Sequence, residues 1–201
     1  MPRRGRYALS MMDLMTPFRI TVFLILVIGS LGLLPAPAAA EPEPWVLVDT
    51  ATRTLSVYQG GEAVAVFKGI ALGRGGVSSN RRAGDGKTPT GVFYVAWINP
   101  DSPYHLFFGL DYPGPIHVEE AHRAHVIDDK TYLNFLQARD RGDLPPQHTA
   151  LGGDIGIHGL GHQDPEIHRL FNWTMGCIAL TDRQIDELAR WVSIGTRVII
   201  H

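Results

Sequence analysis

The only cysteine of the chain, Cys177, is the feature that most restricts how the chain can fold. A single cysteine cannot form an internal disulfide, so the fold must be stabilised by its hydrophobic core. Residues 41–201 comprise about 160 residues, which is enough for one such core. A free thiol outside the cytoplasm is liable to oxidation unless it is buried or needed for chemistry. Whether Cys177 is a buried core residue or a reactive thiol therefore depends on whether the chain is exported and on the residues around Cys177.

The first 40 residues have the pattern of an export signal. Several arginines precede an apolar run over residues 20–34, and the three alanines at 38–40 fit the small-residue rule for signal cleavage. The apolar run has roughly 15 residues, fewer than the roughly 20 that a membrane-spanning helix needs. We predict a signal peptide at residues 1–40 and one domain at residues 41–201, exported to the periplasm or cell envelope. An uncleaved N-terminal anchor is the alternative.

The charge balance of the chain restricts its partners. The whole chain has 18 basic and 20 acidic residues. Four arginines and one aspartate lie within residues 1–40, so residues 41–201 have 14 basic and 19 acidic residues and a net charge of about −5. A negatively charged domain argues against nucleic acid or an anionic membrane surface as its partner.

Short alternating apolar segments, separated by turn signals, predict a fold built mainly from strands. Leu55 and Val57 alternate with polar residues, and Gln59 to Glu62 is a turn signal. We expect Gly73 to Gly76 to form a turn rather than a phosphate-binding loop, because the segment follows a β-meander and lacks a Gly-Lys-Ser/Thr at the downstream spacing of such loops. The predicted strands cover residues 45–49, 54–58, 63–72, 92–98, 154–158 and 197–200.

Helices are predicted at the periphery of these strands. Thr181 and Gln184 form a capping-box pattern at the start of a helix over residues 181–192. Asp164 is expected to cap a short helix that begins at Pro165. A further helix is expected over residues 131–139. The fold class is therefore mainly β, of the α+β type.

The middle of the chain, residues 99–148, has less regular patterning, and its aromatic-rich part at residues 102–112 is left without an assigned element. Phe107, Phe108 and Tyr112 are expected in the core, with a cap over a substrate groove as the alternative role.

The residues around Cys177 suggest a nucleophile with its base. A catalytic cysteine needs a lowered thiol pKa, a nearby base and donors for the oxyanion that forms. The Gly176-Cys177 turn offers two backbone N–H groups. His158 lies in an apolar, strand-like segment that ends at Gly159. An imidazole there, neutral or charged, could form a thiolate–imidazolium pair with Cys177.

These residues resemble the L,D-transpeptidase catalytic domain family, often called the YkuD type. The family signature is His-Gly, a gap of roughly fifteen residues, and then Ser/Thr-His-Gly-Cys with an apolar residue and an arginine. The resemblance covers the chain from about Trp45 to its end, and the Trp-Thr-x-Gly-Cys-Ile-Ala-Leu run is similar to a branch whose members are labelled murein transpeptidases. The matching segments are His158-Gly159, Thr174 to Ile178, Leu55 to Tyr58 and Thr88 to Gly91.

The resemblance implies a compact β-sandwich-like catalytic domain that acts on the stem peptides of peptidoglycan. It makes Cys177 the nucleophile and His158 the general base, with the carbonyl of Gly159 orienting the imidazole ring. The N–H groups of Gly176 and Cys177 would form the oxyanion hole. The enzyme would cleave after a diamino acid, hold the peptide as a thioester and pass it to an amine, such as a lipoprotein or a D-amino acid.

Residues next to the nucleophile are expected to form the rest of the site. Trp173, Thr174 and Met175 are assigned to substrate binding, with Trp173 packed under the cysteine turn. Met175 replaces the histidine that the family has before Gly-Cys, and Ala179 replaces its arginine. Because of these two departures, the enzyme's preference for the acyl donor and for the acyl acceptor stays open.

Two other functions use the same residues. One is a carboxypeptidase or endopeptidase in which water takes the acyl group, and the other is a wall-binding module with an inactive site. The resemblance implies no cofactor and no metal, and we expect a monomer.

His158, His162 and His168, with Asp164 between them, would suit a zinc site if they lay on a helix. The glycines at 159 and 161 disfavour the helix that such a spacing requires, and no glutamate follows in the position of a general base. His162 and His168 are therefore expected on the surface of a loop and a helix, and a position lining the cleft is the alternative for His168.

Overall fold

The computed structural model describes residues 42–201, and the predicted signal peptide at residues 1–40 lies outside this range. The strands are β1 (Trp45–Asp49), β2 (Thr54–Gln59), β3 (Glu62–Lys68), β4 (Val77–Ser78), β5 (Thr88–Pro89), β6 (Gly91–Ser102), β7 (His105–Leu110), β8 (Gly156–His158), β9 (Ile178–Ala179) and β10 (Arg197–Ile200). The helices are α1 (Pro115–Arg123), α2 (Asp129–Asp140), α3 (Pro165–Leu170) and α4 (Asp182–Leu188).

Eight strands form one hydrogen-bonded ladder in the order β3-β2-β1-β10-β6-β7-β8-β9. The pairs β1–β10 and β8–β9 are parallel, and the other pairs in this ladder are antiparallel. The short strands β4 and β5 pair separately in parallel. The mainly β, α+β class predicted from the sequence is confirmed.

One hydrophobic cluster joins distant strands of this ladder. Leu55 from β2, Phe108 from β7 and Ile178 from β9 all belong to it and are buried. Because strands near both ends of the ladder contribute to the same cluster, the sheet must curve around a common core. Ile185 and Leu188 of α4 pack into the same cluster. A second, smaller cluster lies under α1 and α2 and includes Val118 and Phe135.

The helix starts follow the sequence signals. The Thr181 hydroxyl accepts the N–H of Gln184, and the Gln184 side chain accepts the N–H of Thr181, so the predicted capping box is confirmed. The Asp164 carboxylate accepts the N–H of Glu166 at the start of α3. Within residues 42–201, no helix has the length and apolarity needed to cross a bilayer.

Several predicted boundaries differ from the structure. The strand expected over residues 63–72 ends at Lys68, and the strand expected over residues 92–98 extends to Ser102. The helix expected over residues 181–192 ends at Leu188, because the N–H groups of Arg190 and Trp191 bond three residues back instead of four. The strand expected over residues 154–158 is shorter and begins at Gly156. The predicted turn at Gly73 is confirmed, since the carbonyl of Gly73 accepts the N–H of Gly76 over 2.9 Å.

The unassigned segment at residues 102–112 contains strand β7. Its last four residues are all buried, so the strand has no alternation of apolar and polar residues. Trp97 of β6 stacks on Phe107 and also fills the space above Gly109. Phe107, Phe108 and Tyr112 are all buried, which confirms the expected core role.

Candidate active site

The pairing of β8 with β9 places His158 and Cys177 on one face of the sheet. Ile157 lies opposite Ile178, and His158 lies opposite Ala179. Side chains alternate between the faces of a strand, so the two isoleucines point to the core. Cys177, one residue before Ile178, then shares the opposite face with His158. This local register brings together two residues that lie 19 positions apart in the sequence.

The imidazole of His158 is enclosed by aromatic rings. His158 is 2% exposed. Phe107 stacks on it in nearly parallel planes, with ring centroids 5.8 Å apart, and Tyr104 covers it at 4.4 Å. Trp173 packs edge-on at 5.8 Å. These contacts hold the ring in one orientation.

The protonation of this ring is fixed by one hydrogen bond. Nδ1 of His158 lies 2.7 Å from the carbonyl oxygen of Gly159. A carbonyl can only accept, so Nδ1 carries the proton and Nε2 retains its lone pair. Burial lowers the pKa of His158 to about 4, although the Gly159 bond acts in the opposite direction. The ring is therefore neutral at neutral pH, with Nε2 available as a base.

The thiol of Cys177 is also neutral in the resting site. It donates to the carbonyl of Asp154 over 3.4 Å, and Cys177 is partly exposed. Desolvation raises the pKa of the thiol to about 11, while a hydrogen bond from the Gly156 backbone and the charge of Arg81 act to lower it. The expectation of a lowered thiol pKa and a resting thiolate–imidazolium pair is wrong for this structure, since burial disfavours both charged forms.

Thr174 holds the turn that presents Cys177. Its hydroxyl donates to the carbonyl of Cys177 over 2.7 Å and accepts the N–H of Gly176 over 3.1 Å. The side chain is buried. Both of its hydrogen bonds are thus internal to the turn, and the Gly176 N–H assigned to the oxyanion hole is occupied in the resting site.

Gly176 has no room for a side chain. Its φ is +131°, and a Cβ atom would lie 2.6 Å from the carbonyl oxygen of Lys87. The glycine therefore lets the cysteine turn approach the loop that ends at Lys87.

Trp173 and Met175 differ in solvent exposure: Trp173 is half-buried and Met175 is exposed. The indole N–H of Trp173 donates to Nδ1 of His168 over 3.3 Å, which fixes the ring that packs on His158. His168 is buried, so the prediction of a surface position is wrong. Its ring holds Trp173 in place through this hydrogen bond. Met175 is 48% exposed and reaches solvent beside the nucleophile.

Ala179 has backbone bonds in both directions. Its N–H and carbonyl bond to Ala71 over 2.8 and 2.9 Å. The segment from Ala71 onward also bonds Thr174, through Leu72 and Arg74. Ala179 is fully buried in this arrangement. The position at which the family has an arginine is thus packed here by a small side chain.

Asp182 and Tyr104 are parts of the site that the sequence analysis did not identify. The Asp182 carboxylate accepts the N–H groups of Leu160 and Gly161 over 2.7 and 3.0 Å. It therefore anchors the chain immediately after His158-Gly159 to the start of α4. Asp182 follows the helix cap, where an acidic residue is common, so its bonds to Leu160 and Gly161 have no signature in the local sequence.

The histidines do not gather into a metal site. His162 is exposed, whereas His158 and His168 are buried against aromatic rings. In the part of the chain that the structure describes, no three His, Cys, Asp or Glu side chains are grouped so that they could hold a metal ion.

Comparisons with known proteins agree with the geometry. The YkuD family, described as the L,D-transpeptidase catalytic domain, matches residues 43–200. No curated protein matches this sequence.

Solved structures share the fold. Bd1075 of Bdellovibrio bacteriovorus is 20% identical with a TM-score of 0.53, and the match covers 83% of this chain and 50% of that one. The K307A mutant of the helical cell shape determining protein Pgp2 from Campylobacter jejuni is 23% identical with a TM-score of 0.56, and the match covers 81% and 48%. This chain thus spans about half the length of these two structures.

We predict that Asp182→Ala destabilises the domain and disturbs the base. The substitution leaves the N–H groups of Leu160 and Gly161 without their charged acceptor. We therefore expect the free energy of unfolding to fall by about 2 kcal/mol. Urea denaturation measures this loss. Glu187→Ala, on the exposed side of the same helix, is the matched control and should change stability by less than about 0.5 kcal/mol. Equal effects of the two substitutions would contradict the anchoring role of Asp182.

Proposed function

The chain belongs to the YkuD family of L,D-transpeptidase catalytic domains, and we propose that it is a cysteine acyltransferase acting on peptidoglycan stem peptides. The observation that supports this most strongly is the β8–β9 register, which gives Cys177 and His158 a common face. The bond from Nδ1 to the Gly159 carbonyl keeps Nε2 of the same histidine unprotonated. A nucleophile and a free base on one face are what acyl transfer requires.

The first half-reaction begins from a neutral pair. As the sulfur of Cys177 attacks the carbonyl carbon of the diamino acid, Nε2 of His158 takes the thiol proton. The carbonyl electrons move to the oxygen, which receives a hydrogen bond from the backbone N–H of Cys177. When the carbonyl re-forms, the C–N bond breaks, and the amine of the terminal D-residue leaves with the proton from His158. The product is a thioester on Cys177.

The second half-reaction transfers the acyl group. An amine attacks the thioester carbonyl and gives its proton to Nε2 of His158. The C–S bond breaks, and the sulfur regains a proton from the same nitrogen. The acceptor is the amine of another stem peptide, a lipoprotein or a D-amino acid.

The remaining site residues have proposed roles that follow from their positions. Thr174 fixes the cysteine turn from inside through its two hydrogen bonds. Trp173 supports the base, and exposed Met175 lines the substrate entrance. Tyr104, 42% exposed, covers His158 from the solvent side and shields it from water.

A role in the cell wall requires that the protein be exported. We propose that residues 1–40 are a signal peptide and that residues 41–201 act as a monomer in the periplasm or cell envelope. One structural neighbour is named as a helical cell shape determining protein, and we extend to this chain a part in wall remodelling. Hydrolysis by water of the same thioester is the second candidate, because partly exposed Cys177 is reachable by solvent.

We predict that a stem tetrapeptide forms a thioester on Cys177. Mass spectrometry of the purified domain should show one adduct with the mass of the tripeptide acyl group. The Cys177→Ala variant, which lacks the nucleophile, should show none. Addition of an amine should yield an amide product, whereas release of the free tripeptide alone would identify a hydrolase. A domain that binds the tetrapeptide without forming an adduct would be a wall-binding module.

We predict a pH profile typical of a neutral pair. The thiol pKa of about 11 means that alkylation by iodoacetamide rises roughly tenfold per pH unit between pH 7 and 10. The His158 pKa of about 4 means that the base is lost only as the pH falls toward 4, so acylation by the tetrapeptide should persist at pH 5. Stopped-flow or quenched alkylation measures the first rate, and mass spectrometry measures the second.

A His158→Gln variant separates the two possible resting states. In a neutral pair, the substitution removes acylation but leaves the alkylation profile nearly unchanged. A resting ion pair would instead give an alkylation plateau that begins near pH 5 or 6 and disappears in the variant. The latter result would contradict the neutral-pair mechanism.

A further inference from the structure

Arg81 is a buried cation beside the nucleophile that the mechanism above does not use. It lies in the loop between β4 and β5 and is 5% exposed. Its guanidinium donates to three backbone carbonyls: that of Lys87 over 2.9 Å, that of Leu151 over 2.6 Å and that of Met175 over 3.4 Å.

These three carbonyls come from three segments that surround Cys177. Lys87 lies at the end of the loop that packs closely against Gly176. Leu151 lies three residues before Asp154, whose carbonyl accepts the hydrogen bond from the Cys177 thiol. Met175 belongs to the cysteine turn itself. A Cβ atom on Gly176 would lie 3.1 Å from Nε of Arg81, so the guanidinium contacts the turn directly.

Within residues 42–201, no carboxylate forms an ion pair with Arg81. The guanidinium carbon also lies 5.4 Å from the centroid of the Tyr112 ring. A buried cation without a counter-ion is costly to folding.

We propose that Arg81 is a positioning residue of the acyl-transfer site, which fixes the Gly176-Cys177 turn and stabilises the negative charge that forms on Cys177 as the thiol gives up its proton. The proposal rests on the proposed function, because it assigns this charge to the acyl-transfer step. Arg81 also acts to lower the Cys177 pKa, against the effect of burial. It thereby supplies, from a different loop, a positive charge near the cysteine in a chain that has alanine at position 179.

Two variants separate the charge of Arg81 from its hydrogen bonds. Arg81→Gln is neutral and Arg81→Lys is charged, while both can still donate to a carbonyl. Arg82→Gln is the matched control, because Arg82 is the next residue in the same loop and its guanidinium donates only to the carbonyls of Asn80 and Arg81 among the described residues. Circular dichroism and thermal melting check that each variant is folded.

The measurement is the rate of Cys177 alkylation by iodoacetamide between pH 6 and 9. We expect Arg81→Gln to react roughly tenfold more slowly than the parent at each pH, equivalent to an upward shift of about one pH unit. Arg81→Lys and Arg82→Gln should remain within about twofold of the parent, since each keeps a cation at position 81.

Three results would overturn the proposal. One is an unchanged rate in Arg81→Gln, and another is an equal loss in the glutamine and lysine variants, which would show a purely structural role. If the glutamine variant fails to fold, a tenfold loss in Arg81→Lys overturns it. Formation of the tetrapeptide thioester by the parent is measured separately. Its absence would reject the proposed function, whereas the alkylation rates would still report on Arg81.

Discussion

The hydrogen bond from His158 Nδ1 to the carbonyl of Gly159 is the interaction on which the site depends. It assigns the proton of the ring to one nitrogen and leaves the other free as a base. The backbone around it is held by the sheet, since the His158 carbonyl accepts the N–H of Leu180 and the Gly159 N–H bonds to Leu106. Asp182 then fixes the next two residues. The orientation of one imidazole is thus determined by contacts from three separate parts of the chain.

Burial gives the site its electrostatic character. The aromatic rings that orient His158 also exclude water, so they lower its pKa, and the same desolvation raises the pKa of the Cys177 thiol. Both groups are consequently neutral at rest, and charge appears only during proton transfer. Arg81 is placed to favour that negative charge, and no carboxylate of residues 42–201 forms an ion pair with it. A neutral thiol also reacts more slowly with oxidants than a thiolate, which suits the export that we propose for this chain.

The parts of the fold that were predicted correctly are those specified by neighbouring residues in the sequence. The capping box at Thr181 and the alternation in β2 are patterns of neighbouring residues, and the structure confirms them. Strand β7 was not recognised, because Trp97 and the core cover both of its faces and remove the alternation. Arg81 contacts a carbonyl 94 residues away, and Asp182 bonds residues 21 and 22 positions earlier. Such contacts leave no periodic trace in the sequence. The resting protonation of the site was also mispredicted, because it depends on burial that only the folded chain defines.

Nitrogen NMR of the folded domain tests the neutral, Nδ1-protonated base most directly. With histidine labelled by ¹⁵N and His158→Gln used to assign the signal, we expect His158 at pH 7 to show a protonated Nδ1 and an unprotonated Nε2. The ring should take up its second proton only near pH 4. An imidazolium at pH 7 that becomes neutral when Cys177 is alkylated would instead show a resting ion pair and contradict this account.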